Sequence, residues 1–237
     1  MKSDYLGILS SIKQDIERYE ISQTNKPSLI VVTKSQSNKD IEKVVEAGNK
    51  CLGENYVDEA IKKIDFFKKR SLEWHFIGQI QSNKIKKISK YFDWVQTISS
   101  IKHAKLLNQA CEGLSKKMNV CIQVNIDREQ SKSGILIEDL DDLIVNILPL
   151  NNLILRGLMA IPSKINALKE NINSYKILKA EYDRLSSEYL HLDTLSIGMS
   201  NDYKLALDNG SNMIRICLLY TSPSPRDRTR SRMPSSA

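Results

Sequence analysis

Two short stretches concentrate residues that could do chemistry. Residues 29–34, LIVVTK, run from four apolar and mostly β-branched residues straight into Lys34. Such a run is the signature of a strand buried on both faces, so an ammonium group arrives where the chain leaves the core. A primary amine on a rigid element can attack an aldehyde and hold it as a Schiff base. Residues 197–202, IGMSND, bring a Gly198-Met199-Ser200 turn to the start of a helix, where backbone N–H groups and a hydroxyl can hold a phosphate. A lysine opposite such a cradle suits a ligand that carries both an aldehyde and a phosphate. Each residue also has a plainer reading. A lysine at a strand end is commonly solvated or ion-paired, Ser-Asn-Asp is an ordinary helix N-cap, and Asn55 could cap the helix after it.

The elements that must position these groups alternate along the chain. Strand-like runs fall at 29–33, 50–53, 74–78, 94–98, 119–126, 153–161, 194–200 and 212–216. Between them apolar residues recur at three and four spacing, which predicts helices. One starts near Asn38, which could cap it, and ends at Gly48; the others cover 55–69, 82–91, 101–117, 137–147 and 165–189. Eight strands with intervening helices make an α/β protein, either a closed (β/α)8 barrel or an open doubly wound sheet. Neither GxGxxG nor a P-loop pattern follows an early strand, which disfavours a nucleotide-binding open sheet, and the count of eight favours the barrel. A barrel places its chemistry at the C-terminal ends of its strands, with phosphate sites often after strands seven and eight. Lys34 and Ser200 fall there. The strand exits lack the paired carboxylates of a glycosidase, a His/Asp metal set and a GxSxG nucleophile elbow.

At 237 residues, 41% hydrophobic and 27% charged, the rest of the chain is ordinary globular sequence. No apolar run approaches the ~18 residues of a membrane span, and acidic residues in the helical N-terminal pattern argue against a signal peptide. A cytoplasmic protein with no membrane partner is expected. Cys51, Cys111, Cys121 and Cys217 show no CxxC spacing and no nearby histidine pair, so free thiols are expected rather than a zinc site or disulfides. The net charge is +7, but four arginines against one aspartate in the last 21 residues supply +3 of it. The remainder is spread over helical stretches such as KIKKISK, whose lysines form a wet face, so nucleic acid is not an expected partner. His75 in WHFIG is expected in packing rather than in catalysis. From Cys217 the chain turns to CLLYTSPSPRDRTRSRMPSSA, which reads as a disordered basic tail or as translated adapter sequence joined to a truncated gene. The expected organisation is one domain over 1–216 and a tail over 217–237.

VVTKS, GENYVDE, EWHFIGQIQSNK, SKSG, RGLMAIP and DTLSIGMSNDY occur in that order. With these motifs the chain resembles the pyridoxal 5′-phosphate (PLP) homeostasis proteins, the YggS/PROSC-like or alanine-racemase N-terminal-domain-like family, over roughly residues 5–216. The resemblance implies a single TIM barrel of PLP fold-type III, without the second domain that racemases of this fold carry. It implies PLP held as a Schiff base on Lys34, with Ser200 and the Gly198-Met199 turn at the phosphate. It also implies Arg215 near the pyridine nitrogen, where a guanidinium keeps that nitrogen unprotonated and the ring a weak electron sink. Asn55, Ser82, Asn83 and Met159 match pocket or pocket-rim positions. The implied role is a monomeric PLP carrier in vitamin B6 and amino-acid homeostasis, handing the cofactor transiently to apo-enzymes and lacking strong catalysis. The alternative is a PLP-dependent amino-acid racemase. One departure stands out. The family continues RIG toward a Phe-Gly motif, whereas this chain reads RIC at 215–217 and enters the tail. The last barrel helix is therefore expected to be missing, and barrel closure and phosphate affinity to be weakened.

Overall fold

A computed structural model describes residues 5–20, 27–163 and 172–218. All eight expected strands form: β1 Ser28–Val32, β2 Cys51–Glu54, β3 Glu73–Phe76, β4 Trp94–Ile98, β5 Met118–Val124, β6 Leu153–Ala160, β7 Thr194–Met199 and β8 Met213–Cys217. They are parallel and paired in chain order, and β8 returns to β1 to close a barrel. The closing seam runs in register from Ser28 opposite Met213 to Val32 opposite Cys217. The barrel thus closes with Cys217 where the family has glycine: Cys217 keeps its place in the ladder, opposite Val32. Cys217 and Leu218, expected in the tail, belong to the folded body instead: Cys217 ends β8 and both are buried. The stretch where the last barrel helix was expected to be missing and the rest of the basic tail fall at 219–237, outside the described residues.

Helix α1 Tyr5–Glu20 precedes the barrel. Consecutive strands are joined by α2 Asn38–Glu46, α3 Val57–Phe66, α4 Ile85–Tyr91, α5 Ile101–Glu112, α6 Leu140–Ile147, α7 Asn173–Glu188 and α8 Tyr203–Asp208. Short 3-10 turns, Ser82–Lys84 and Ile137–Asp139, lead into α4 and α6. Helix ends depart from the sequence reading for local reasons. Ser37 rather than Asn38 caps α2, its hydroxyl accepting from the Asp40 N–H, and Gly48 stops the chain at φ +82. Helix α5 ends at Glu112, five residues short of expectation, where Gly113 and the left-handed Ser115 turn the chain away. Residues 165–171 of the helix expected over 165–189 lie outside the described residues.

Strand side chains alternate, and two apolar layers result. Val31, Leu52, Phe76, Val95, Val120, Leu158, Leu195 and Ile214 belong to the larger layer, together with helix stripes such as Ile41 and Val44 of α2 or Leu140, Leu143, Ile144 and Ile147 of α6. Each fully buried aliphatic side chain there contributes about 1.5–3 kcal/mol. Ile30, Trp94, Cys121, Met159 and Met213 form a separate cluster in the lumen. Helix α1 bridges α2 and α8, the helices that flank the seam between first and last strands. Its Leu9, Ile12 and Ile16 are buried at helical spacing. Its Lys13 donates to the Ala47 carbonyl beside α2 (2.7 Å), and its Asp15 accepts from the Tyr203 hydroxyl of α8 (2.8 Å). No described helix is long and apolar enough to cross a membrane.

Candidate functional site

Lys34 follows β1 in a tight turn closed by the Gln36 N–H donating to Thr33 O (3.1 Å), with Ser35 in the left-handed region at φ 59. A buried ionic network braces this turn from behind. Lys63 of α3 donates to Thr33 O (2.6 Å), Glu54 Oε1 (2.7 Å) and Glu59 Oε1 (2.6 Å), three acceptors for its three protons. Thr33 Oγ1 donates to the same Glu54 oxygen at 2.6 Å, and the Ser35 N–H donates to Glu59 Oε1 at 2.6 Å. Burial lifts the Glu54 carboxyl above its ordinary range, against the pull of Lys63 and Thr33. At Glu59 burial also raises, but Lys63 and the Ser35 N–H win, and its carboxyl lies below the usual range. With its backbone so fixed, the half-buried Lys34 side chain lines a cavity of about 340 Å³ at the C-terminal mouth of the barrel.

The far wall comes from β7 and β8. Gly198 has φ +104, and a Cβ there would sit 2.5 Å from Ala206 Cβ, so glycine lets the turn lie directly on α8. Asp202 braces that turn, accepting from the Met199 N–H (2.6 Å) and the Tyr175 hydroxyl (2.5 Å). Its carboxylate lines the cavity but is thereby committed inward. Ser200 Oγ accepts from the Cys217 N–H at 3.1 Å, tying the two strand ends together. Arg215 is 3% exposed and held by Ser196 Oγ (2.5 Å) and Ala160 O (2.8 Å). Burial pushes its pKa down to about 10, which leaves the guanidinium charged near neutrality. Val32, Ile77, Met159 and Ile161 supply apolar wall, and Asn55 lines the cavity while its buried Oδ1 lacks a hydrogen-bond partner among the described residues.

The family model for the alanine racemase N-terminal domain matches residues 9–223. A pyridoxal phosphate homeostasis protein of Pasteurella multocida is 39% identical over 216 residues, covering 88% of this chain and 92% of that one. One from Escherichia coli is 40% identical over 192 residues, covering 80% and 82%. The chain belongs to the pyridoxal phosphate homeostasis protein family. Among solved structures, this family member superposes on PipY of Synechococcus elongatus without PLP at a TM-score of 0.82 and 28% identity, covering 90% of this chain and 98% of that one. PipY with PLP bound gives a TM-score of 0.76 at 27% identity over 88% and 99%.

Six of the nine residues matched to the family's pocket, Lys34, Asn55, Met159, Met199, Ser200 and Arg215, meet at this one cavity, and Cys217 joins them. Gly198 stands behind the wall as the backbone of the turn. Ser82 and Asn83 are not brought there: both are exposed on the 3-10 turn after β3, and Ser82 borders a separate surface pocket beside α4 and α5. Asn55 does not cap α3, whose N-cap position is Tyr56. Lys84 and Lys87 do more than face water, since both pair with Asp58 of α3 at 2.6 and 2.8 Å. Lys63 and its carboxylates are the part sequence reasoning missed. A signal was present, because Val57, Ala60 and Phe67 make an apolar stripe that Lys63 interrupts on the buried side.

Proposed function

We propose that this chain is a carrier of pyridoxal 5′-phosphate, joined covalently to it through the Lys34 amine, that buffers the free cofactor without strong catalysis of its own. The observation that carries this reading is the cavity itself: an amine on a braced turn faces a buried guanidinium and a Gly-x-Ser turn across an apolar space. The residues fit the cofactor on the chain's own terms. Asn55 lines the cavity and its buried Oδ1 has no hydrogen-bond partner among the described residues, which suits a site that takes a polar ligand, and the Gly198 turn presents backbone and the Ser200 hydroxyl where a phosphate could be held. Bound there, the cofactor supplies an aldehyde carbon and an electron-withdrawing ring. Arg215 opposes protonation of the ring nitrogen by its charge, which suits storage more than carbanion chemistry. A racemase needs an acid or base on each face of its substrate. Besides Lys34, the described residues lining the cavity offer as acid or base groups only the Cys217 thiol and the Asp202 carboxylate, the latter already taken up by the Met199 N–H and the Tyr175 hydroxyl. A monomer in the cytoplasm that hands PLP to apo-enzymes is the setting this role requires.

Adding PLP to the purified protein should produce a new visible absorption band, absent in Lys34→Ala. Borohydride reduction and peptide mass mapping should then place the adduct on Lys34. An adduct on another lysine, or none, rejects the assignment. Fast exchange of alanine's α-proton with solvent deuterium, lost in Lys34→Ala, would favour the racemase reading instead.

A further inference from the structure

The N-terminal mouth of the barrel, opposite the cofactor cavity, gathers a second set of reactive side chains. Cys51 opens β2 and Glu73 opens β3, and the parallel register sets the two directly beside each other. His75 lies two residues further along β3, so its ring shares the inward face with Glu73. One donor atom from each residue lies within 4.8 Å of the other two. Glu73 Oε1 is the hub, 2.8 Å from His75 Nε2 and 3.5 Å from Cys51 Sγ. Around a small tetrahedral cation with bonds of about 2.0–2.3 Å, donor atoms stand about 3.3–3.6 Å apart, so the group is close to a ligand shell as it stands.

We propose that Cys51, Glu73 and His75 form a binding site for a divalent cation of borderline softness, Zn2+ or its spectroscopic analogue Co2+, with a fourth position left to water. Sulfur, imidazole and carboxylate together are the donor set such ions select. One thiolate and one carboxylate with a neutral imidazole balance the ion's two charges, and the thiol proton is released to solvent on binding. The site is closed on the barrel side, where the His75 side chain is 1% exposed, and open at the rim, where that of Glu73 is 45% exposed. The ring is already held from behind. It stacks on Trp94 at 5.2 Å, and its Nδ1 meets the Gln96 amide at 3.0 Å. A metal on Nε2 leaves the proton on Nδ1. A half-turn of the Gln96 amide then offers Oε1 to that proton and its NH2 to the Ser196 hydroxyl, the orienting role that outer-shell partners play. Cysteine spacing pointed away from a zinc site because these ligands come from two strands and meet only through the sheet register. An ion there would clip β2 to β3 on the face of a barrel that serves stability.

The test uses reduced, chelator-treated protein titrated with Co2+. One ion per chain is expected, with a thiolate-to-cobalt charge-transfer band in the near ultraviolet and the intense visible d–d bands of a tetrahedral site, all displaced by Zn2+. Cys51→Ser should abolish the charge-transfer band, and Glu73→Gln should weaken binding by at least about tenfold, with far-ultraviolet circular dichroism unchanged in both. Weak octahedral absorption alone overturns the proposal. So does a charge-transfer band that survives in Cys51→Ser, since it would then belong to Cys111, Cys121 or Cys217. None of these readouts involves Lys34 or the cofactor, so the outcome is independent of the carrier reading.

Discussion

Lys63 does for Lys34 what a single residue can do: it fixes a turn without touching the ligand. Its ammonium spans Thr33 O, Glu54 and Glu59, and its side chain is 5% exposed. Replacing it by methionine keeps the volume but leaves Glu54 buried without a cation, a loss of about 3–5 kcal/mol for a broken buried pair. The loss should depend on pH. Burial already holds the Glu54 carboxyl above its ordinary range, and without Lys63 it rises further. A raised folded pKa means that the native state binds the extra proton. Stability is then fully present below the ordinary glutamate pKa and is lost as pH rises through the folded value. Urea midpoints of Lys63→Met should therefore fall further behind the parent near neutrality than near pH ~5. Adding Glu54→Gln should flatten that dependence. A pH-independent deficit would show that Lys63 acts through packing alone.

At the scale of elements, the seam between β1 and β8 matters most, because Lys34, Arg215 and Cys217 all hang from it. Helix α1 is tied to the end of α2 and to α8, the helices on either side of that seam, and buries Leu9, Ile12 and Ile16. Ile12→Ala should lower stability by about 2–5 kcal/mol, as for other large-to-small core changes. Hydrogen exchange should show amides of Val31, Val32 and Ile216 losing protection before those of β4 and β5; uniform loss across the barrel would deny α1 a local role. The strands were legible because a parallel sheet covered on both faces writes itself as apolar runs, and LIVV, NVCIQV and LILRGLMA each became strands within a residue or two of expectation. The cavity residues were legible because barrels put chemistry at strand exits. Helix ends were less so. Ser37 and Asn38 are both good caps, and only the backbone of Ser37, extended at φ −74 and ψ 154, selects between them. Ser82 and Asn83 sit at a strand exit by sequence, yet the chain turns them outward in the 3-10 turn. The Lys63 network and the Cys51–Glu73–His75 group were least legible, since they depend on which residues the register sets side by side.

Across the whole molecule, the lumen is not a plain apolar core. A chain of hydrogen bonds runs from the N-terminal mouth to the cavity: Glu73 to His75 (2.8 Å), His75 to Gln96 (3.0 Å), Ser196 donating to Gln96 Oε1 (2.8 Å), and Arg215 donating to Ser196. His75, Gln96 and Ser196 are fully buried, so each link is made in a medium where an orphaned polar group is costly. The apolar cluster of Ile30, Trp94, Cys121, Met159 and Met213 fills the lumen around this chain. The chain gives the buried charge of Arg215 an ordered set of dipoles and holds it in the cavity wall. If the links act as a unit, their energies cannot add. Ser196→Ala strands both Gln96 Oε1 and one Arg215 nitrogen, and should cost about 1–3 kcal/mol for each group left unpaired. Gln96→Leu strands His75 Nδ1 and the Ser196 hydroxyl in the same way. The double variant removes the shared link only once, so its loss should fall short of the sum of the singles by about 0.5–3 kcal/mol in urea unfolding. Strict additivity would mean that the contacts are independent, and that the two mouths of the barrel are not connected through its interior.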